Sequence, residues 1–232
     1  MWAPGGSHAG MTKDKVRQKI LEIGIVPVVR AASAEQAVLA AEAVAEGGIP
    51  IVEITMTVPG AIPAIAHLAR TLRGQVLIGA GTVLDAETAA RCLEAGAEFL
   101  VSPGFDLETL QLAQRNEKLM MAGALTPTEV ITAYKAGSDF VKVFPCGNVG
   151  GPAYIRALKA ALPQIPMVPT GGVNLSTAGD FLRAGASALG VGGELVSRAE
   201  IEAGNSAALT VAARRYVAAV REARQVGQTH AG

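Results

Sequence analysis

Lys142 stands at the centre of "FVKVF" (Phe140–Phe144), an ammonium group in an otherwise apolar run, where desolvation makes a charge costly. If the run is a strand, Phe140, Lys142 and Phe144 share one face, and Val141 and Val143 share the other. "IVEIT" (Ile51–Thr55) repeats the anomaly with a carboxylate: Ile51, Glu53 and Thr55 share a face, as do Val52 and Ile54. Desolvation favours the neutral, nucleophilic form of a lysine, and a carboxylate beside it can move protons. An amine and an acid/base in a dry cavity are what Schiff-base chemistry on a ketone requires. A buried Lys–Glu pair can also be mere filling, because desolvation offsets much of the attraction. The decision turns on whether the fold brings the two runs face to face.

The body of the chain alternates short β-branched runs with Ala-rich stretches. Strands are expected at Ile25–Arg30, Ile51–Thr55, Val76–Ala80, Phe99–Ser102, Leu119–Ala122, Phe140–Phe144, Met167–Thr170 and Ala188–Val191. One strand every twenty-odd residues is the length of a compact strand–helix unit. The segments between carry helix signals. Ser33, Asp85 and Thr126 are N-cap residues, Thr126 being followed by Pro127 and, at the capping-box position, Glu129. "AGG", "AGA" and "AGS" endings punctuate the returns to strand. Eight such units predict a closed (β/α)8 TIM barrel, with an open doubly wound sheet as the fallback. In that barrel the purely apolar strand faces meet the helices, so Glu53 and Lys142 point inward. Strands two and six are four apart in a ring of eight, so their side chains aim at each other across the interior.

Barrel active sites lie at the C-terminal strand ends. "VPTGGVNL" follows strand seven and "GVGGELVS" strand eight, the two loops that cradle phosphate in phosphate-binding barrels together with a helix N-terminus. Gly171, Gly172, Gly192 and Gly193 would let backbone amides approach an anion; ordinary βα turns also use glycine. Thr55, Thr57, Thr82 and Thr170 add hydroxyls near the mouth, and Pro103 an apolar wall after strand four.

Composition narrows the partners. The 232 residues, half of them hydrophobic, suit one large domain. Twenty basic and twenty acidic residues cancel, which offers no basic excess for nucleic acid or an anionic membrane. No apolar run is long enough to cross a bilayer. Cys92 and Cys146 form neither a metal spacing nor a disulfide framework, and suit a cytoplasmic location. The three histidines, His8, His67 and His230, are scattered, which leaves a metal-dependent route to such ketone chemistry without ligands. Residues 1–11 read as a disordered leader without signal-peptide order, residues 12–225 as a single barrel domain, and residues 226–232 as a frayed tail.

"GIVPVVR", "VEITMTVPGA", "IGAGTVLDAE", "FLVSPGF", "PTEV", "FVKVFP", "VPTGGV" and "LGVGGELV" together resemble, in order, the 2-keto-3-deoxy-6-phosphogluconate / 4-hydroxy-2-oxoglutarate (KDPG/KHG) aldolase family. The resemblance covers nearly the whole folded chain. It implies a class I pyruvate aldolase, without metal or cofactor, acting on a small-molecule 2-keto acid and assembled as a homotrimer. Lys142 matches the family's Schiff-base lysine and Glu53 its general acid/base. Thr82 and Thr170 match positions lining the pyruvate pocket, and Phe144 and Pro103 match apolar walls beside the lysine.

Two positions depart from some members. Thr57 stands where these have an arginine that helps hold substrate, which makes Arg30, at the end of strand one, an alternative anion partner. Gly193 stands where a phosphate-binding serine is frequent, and it keeps the amide but loses the hydroxyl. Two rival readings stay open: a phosphosugar isomerase or epimerase on the same barrel, without an imine, and a catalytically silent ligand-binding barrel.

Overall fold

In the computed structural model, residues 11–229 are described in the backbone and residues 11–225 in their side chains. Strands form where the period-two pattern places them: β1 (Ile25–Val29), β2 (Ile51–Thr55), β3 (Leu77–Gly81), β4 (Phe99–Val101), β5 (Leu119–Ala124), β6 (Phe140–Val143), β7 (Met167–Pro169) and β8 (Leu189–Val191). They pair in parallel in the order β7-β6-β5-β4-β3-β2-β1-β8. A bridge from Thr170 to Gly190, with the Ser187 amide donating to Met167 O at 2.9 Å, joins the two ends of that order and closes the ring. The chain is therefore a (β/α)8 barrel, and the open-sheet fallback is set aside.

Helices follow the strands: α2 (Ala34–Glu46), α3 (Ala61–Thr71), α4 (Ala86–Glu94), α5 (Leu107–Arg115), α6 (Pro127–Lys135), α7 (Pro152–Ala161), α8 (Ala178–Arg183), then short α9 (Arg198–Glu202) and long α10 (Ser206–Thr229). Their starts obey local chemistry. Ser33 accepts from the Gln36 amide and Asp85 from the Thr88 amide, while Thr126 and Glu129 close a reciprocal capping box. Asp106 caps α5 in the same way, through the Thr109 amide. α10 packs on α2 and α8, and its helical backbone continues into the segment read as a tail.

One element has no counterpart in the strand–helix alternation. α1 (Lys13–Ile23) precedes β1 and covers the N-terminal end of the barrel. Val16 and Ile20 are buried there, Lys13 pairs with Asp139 at 2.8 Å, and the Arg17 guanidinium lies 5.6 Å from the centre of the Phe140 ring. Met11, the last residue of the expected leader, packs against the core; the rest of the leader, with His8 and also His230, lies outside the described residues. No described helix is long and apolar enough to cross a membrane.

The barrel interior has two levels. Near the N-terminal end, Phe99 and Phe140 are fully buried and fill the space between strands. Nearer the C-terminal mouth the inward positions of β3, β5 and β8 are glycines: Gly81, Gly123 and Gly190. Their missing side chains leave the room in which the polar residues described next are seated.

Candidate active site

β2 and β6 point Glu53 and Lys142 at each other, as the ring geometry requires. Lys142 Nζ lies 3.9 Å from Glu53 Oε1, and the two residues are only 3% and 2% exposed. That separation is an electrostatic contact, longer than a hydrogen bond. Glu53 Oε1 has no hydrogen-bond partner among the described residues. A carboxylate oxygen left unpaired in a buried site is costly, so this pair is poor filling and well suited to a reactant arriving between its members. The Phe144 ring centre lies 5.4 Å from Nζ, giving the amine an aromatic wall.

Pro103, after β4, lies with its backbone against Gly123. Gly123 pairs with Lys142 across β5 and β6, and a β-carbon on Gly123 would collide with the Pro103 backbone. The loop thus folds over bare glycine backbone, fastened by the Gly123 amide donating to Gly104 O at 3.1 Å and to Ser102 Oγ at 3.3 Å. Thr170 is seated likewise. Its Oγ1 occupies the space beside Gly190 that a side chain would fill, and its amide donates to Val143 O at 2.9 Å. Thr82, directly after β3, is half-buried with φ of 57°. A β-branched residue is strained there, and such strain concentrates at functional positions.

Thr55 donates its single hydroxyl proton to Val29 O at 3.0 Å. The 2.6 Å contact between Thr55 Oγ1 and Thr57 Oγ1 is therefore donated by Thr57, which is exposed at the mouth and turns lone pairs outward. Arg30 follows β1, exposed and without an ion-pair partner among the described residues. Its Nη1 would lie 3.2 Å from a β-carbon on Gly192, so the guanidinium overhangs the loop after β8.

The two glycine loops are built differently. Gly171 and Gly172 have φ of 86° and 77°, and a β-carbon on Gly172 would come within 2.7 Å of Gly147 Cα, so glycine is required twice over. Asn174 Oδ1 accepts from the amides of Ser176 and Thr177, both at 3.0 Å, and holds this loop in shape. Gly193 instead faces open space and is followed by the exposed Glu194. The helices after these loops start only at Ala178 and Arg198, so the amides beside the four glycines are loop amides rather than a helix terminus. Cys146, after β6, is buried, and burial pushes its thiol up to about 12.

This constellation coincides with a known family. The model of the KDPG and KHG aldolases matches residues 16–212. The chain belongs to that aldolase family. It is accordingly an aldolase, an enzyme of the carbon–carbon lyase class. A 2-dehydro-3-deoxy-phosphogluconate aldolase of Pseudomonas aeruginosa is 37% identical over 161 residues, 69% of this chain and 73% of that protein. The KHG/KDPG aldolase of Escherichia coli is 33% identical over 86% of this chain and 94% of its own length. Among solved structures, a KDPG aldolase from Legionella pneumophila, with pyruvate captured at low pH as a covalent carbinolamine intermediate, has a TM-score of 0.80. It is 30% identical and covers 85% of this chain and 96% of that one. A designed protein cage made by fusing symmetric oligomeric domains gives a TM-score of 0.82 at 28% identity, over 90% of this chain and 76% of that one.

The sequence signals Glu53 and Lys142 through their charge in apolar strands, but not what seats them. The seats are Gly81, Gly123 and Gly190, and of these only "GAG" in β3 carries a readable signal: two glycines at i and i+2 on the inward face of a strand mark a close approach by something else.

Proposed function

We propose that this aldolase works through an imine on Lys142, cleaving 2-keto-3-deoxy-6-phosphogluconate to pyruvate and glyceraldehyde 3-phosphate, 4-hydroxy-2-oxoglutarate to pyruvate and glyoxylate, or both. The observation that carries the reading is the buried Lys142–Glu53 pair, 3.9 Å apart with Oε1 unpaired. The Lys142 amine adds to the C2 carbonyl of the 2-keto acid, and the carbinolamine loses water to give an iminium. Electrons of the C3–C4 bond flow into that iminium as Glu53, directly or through a water, takes the proton of the C4 hydroxyl. The C4 fragment leaves as an aldehyde. The enamine left behind is protonated at C3, and hydrolysis frees pyruvate and the amine.

Thr82 and Thr170 line the pyruvate end, with Phe144 and Pro103 as the apolar walls that keep water from the iminium. Arg30 is the cation for the substrate's anionic groups. Thr57, with its proton engaged by Thr55, accepts from a substrate hydroxyl. Gly171, Gly172, Gly192 and Gly193 present amides to the distal end of the substrate. The matching surface for assembly is at the mouth: Leu84, in the loop before α4, and Leu107, the first residue of α5, are 63% and 48% exposed, large apolar side chains that a partner copy would cover. A homotrimer in the cytoplasm is the expected form; the buried, unpaired Cys92 and Cys146 suit a reducing compartment. Light scattering coupled to gel filtration measures the assembly.

Borohydride reduction in the presence of pyruvate, followed by peptide mass mapping, tests the chemistry. A reduced pyruvate adduct on Lys142 is expected. No adduct on folded protein would overturn the reading and return the isomerase and the silent barrel to consideration.

A further inference from the structure

Glu53 is held by almost nothing that touches it through a polar bond. No hydrogen bond from a described residue reaches its carboxylate, and its nearest charged neighbour is the Lys142 ammonium at 3.9 Å. Yet the arm has a defined seat. β2 and β3 pair with Glu53 opposite Gly79 and Thr55 opposite Gly81. Gly79 and Gly81 face the barrel interior, alternating with Ile78 and Ala80 beneath the helices. The two vacant positions are filled by different residues. A β-carbon on Gly79 would overlap the ring of Phe99, whereas a β-carbon on Gly81 would overlap Cγ, Cδ and Oε1 of Glu53. The carboxylate arm therefore leans one step toward the mouth and lies flat against the bare backbone of Gly81.

We propose that Gly81 is a positioning residue of the aldolase reaction: the absence of its side chain is what sets the Glu53 carboxylate across from Lys142 at a distance that admits the reacting hydroxyl or a water. This rests on the imine mechanism above. The consequence is specific. The three atoms nearest a methyl group at position 81 all belong to Glu53, so it lifts the flexible end of that arm out of its seat first, and proton transfer suffers while the amine can still bind pyruvate. The neighbouring glycine supplies the contrast, because its space belongs to a phenyl ring and not to a reacting group.

The test is a cycle of Gly81→Ala and Glu53→Ala, read by three measurements: pyruvate release from 4-hydroxy-2-oxoglutarate and from 2-keto-3-deoxy-6-phosphogluconate, the endpoint of borohydride trapping of pyruvate, and Tm. Gly81→Ala is expected to trap pyruvate on Lys142 to the wild-type extent while cleavage falls by about 10²-fold or more, the range of a lost acid/base. In the Glu53→Ala background, where the arm is already gone, adding Gly81→Ala is expected to change neither cleavage nor Tm. Cleavage by Gly81→Ala within about tenfold of wild type overturns the proposal, with tenfold taken as the lower edge of a meaningful loss. So does loss of trapping, or a further fall in rate or Tm in the Glu53→Ala background. Should Gly81→Ala alone not fold, the double variant decides: folding places the collision at Glu53 as proposed, and failure to fold assigns the space to the core. Wild-type protein that neither traps pyruvate nor cleaves would instead sink the mechanism on which this inference stands.

Discussion

β3 carries the same residue twice, at Gly79 and Gly81, and the barrel treats the two differently. At the closed end, the space beside Gly79 is taken by Phe99, fully buried above the floor that α1 provides. At the open end, the space beside Gly81 is taken by the carboxylate of Glu53. The lower vacancy is filled with apolar surface and contributes to stability. The upper one is filled with a carboxylate whose Oε1 accepts no hydrogen bond from the described residues and whose burial costs stability. A strand that supports folding at one residue and chemistry two residues on shows how finely this barrel divides its interior.

The comparison is broken most severely from above. Lys142→Ala is expected to abolish cleavage altogether, because no imine can form, with the far-ultraviolet circular dichroism unchanged. Glu53→Gln keeps the shape of the arm but not its basicity, and turnover should fall by about 10²- to 10⁴-fold; pyruvate release by coupled assay measures both. From below the signature reverses. Phe99→Ala should cost about 3–5 kcal/mol of stability through the cavity it leaves, seen in urea unfolding, while the remaining folded protein keeps its kcat within about tenfold, the scale on which an intact acid/base would be missed.

Smaller effects sharpen the description of the mouth. Because Gly193 faces open space, Gly193→Ser should be accommodated with a change in Tm of no more than a few degrees, on the scale of a surface substitution. It should lower KM for the phosphorylated substrate by about tenfold or more, the worth of about one hydrogen bond to a charged group, and leave the unphosphorylated substrate unaffected. The smallest signal is a silence. Burial pushes Cys92 up to about 11 and Cys146 up to about 12. Raised values mean that both thiols are protonated at pH 8, so a thiol reagent should label the protein only after denaturant is added.

Much of this arrangement was legible in the sequence because it depends on period and order. Alternation fixed which residues of "IVEIT" and "FVKVF" face inward, and eight repeats in a ring put Glu53 opposite Lys142. Caps at Ser33, Asp85 and Thr126 were local chemistry and were readable for that reason. α1 was not, since it stands outside the repeat and is explained only by the barrel floor it covers. The seats of Glu53, Thr170 and Pro103 were hidden for a related reason. What occupies the room left by Gly81, Gly190 or Gly123 is decided by another strand or loop, and no local pattern names it. The strain at Thr82 and the overhang of Arg30 on Gly192 are likewise products of closure.

Closure itself depends on the bridge between Thr170 and Gly190 and on the Ser187 amide donating to Met167 O at 2.9 Å, together the clasp of an otherwise continuous ring. The loops bearing Gly171 and Gly172 on one side and Gly192 and Gly193 on the other flank that clasp. An anion gripped by both loops would be a rivet across the seam, fastening the barrel where its own backbone does so least. Bound at a hundred times its Kd it would add about 2.7 kcal/mol to the folded state. An anionic substrate held in that way would also be part of the masonry, bracing the ring in which it reacts.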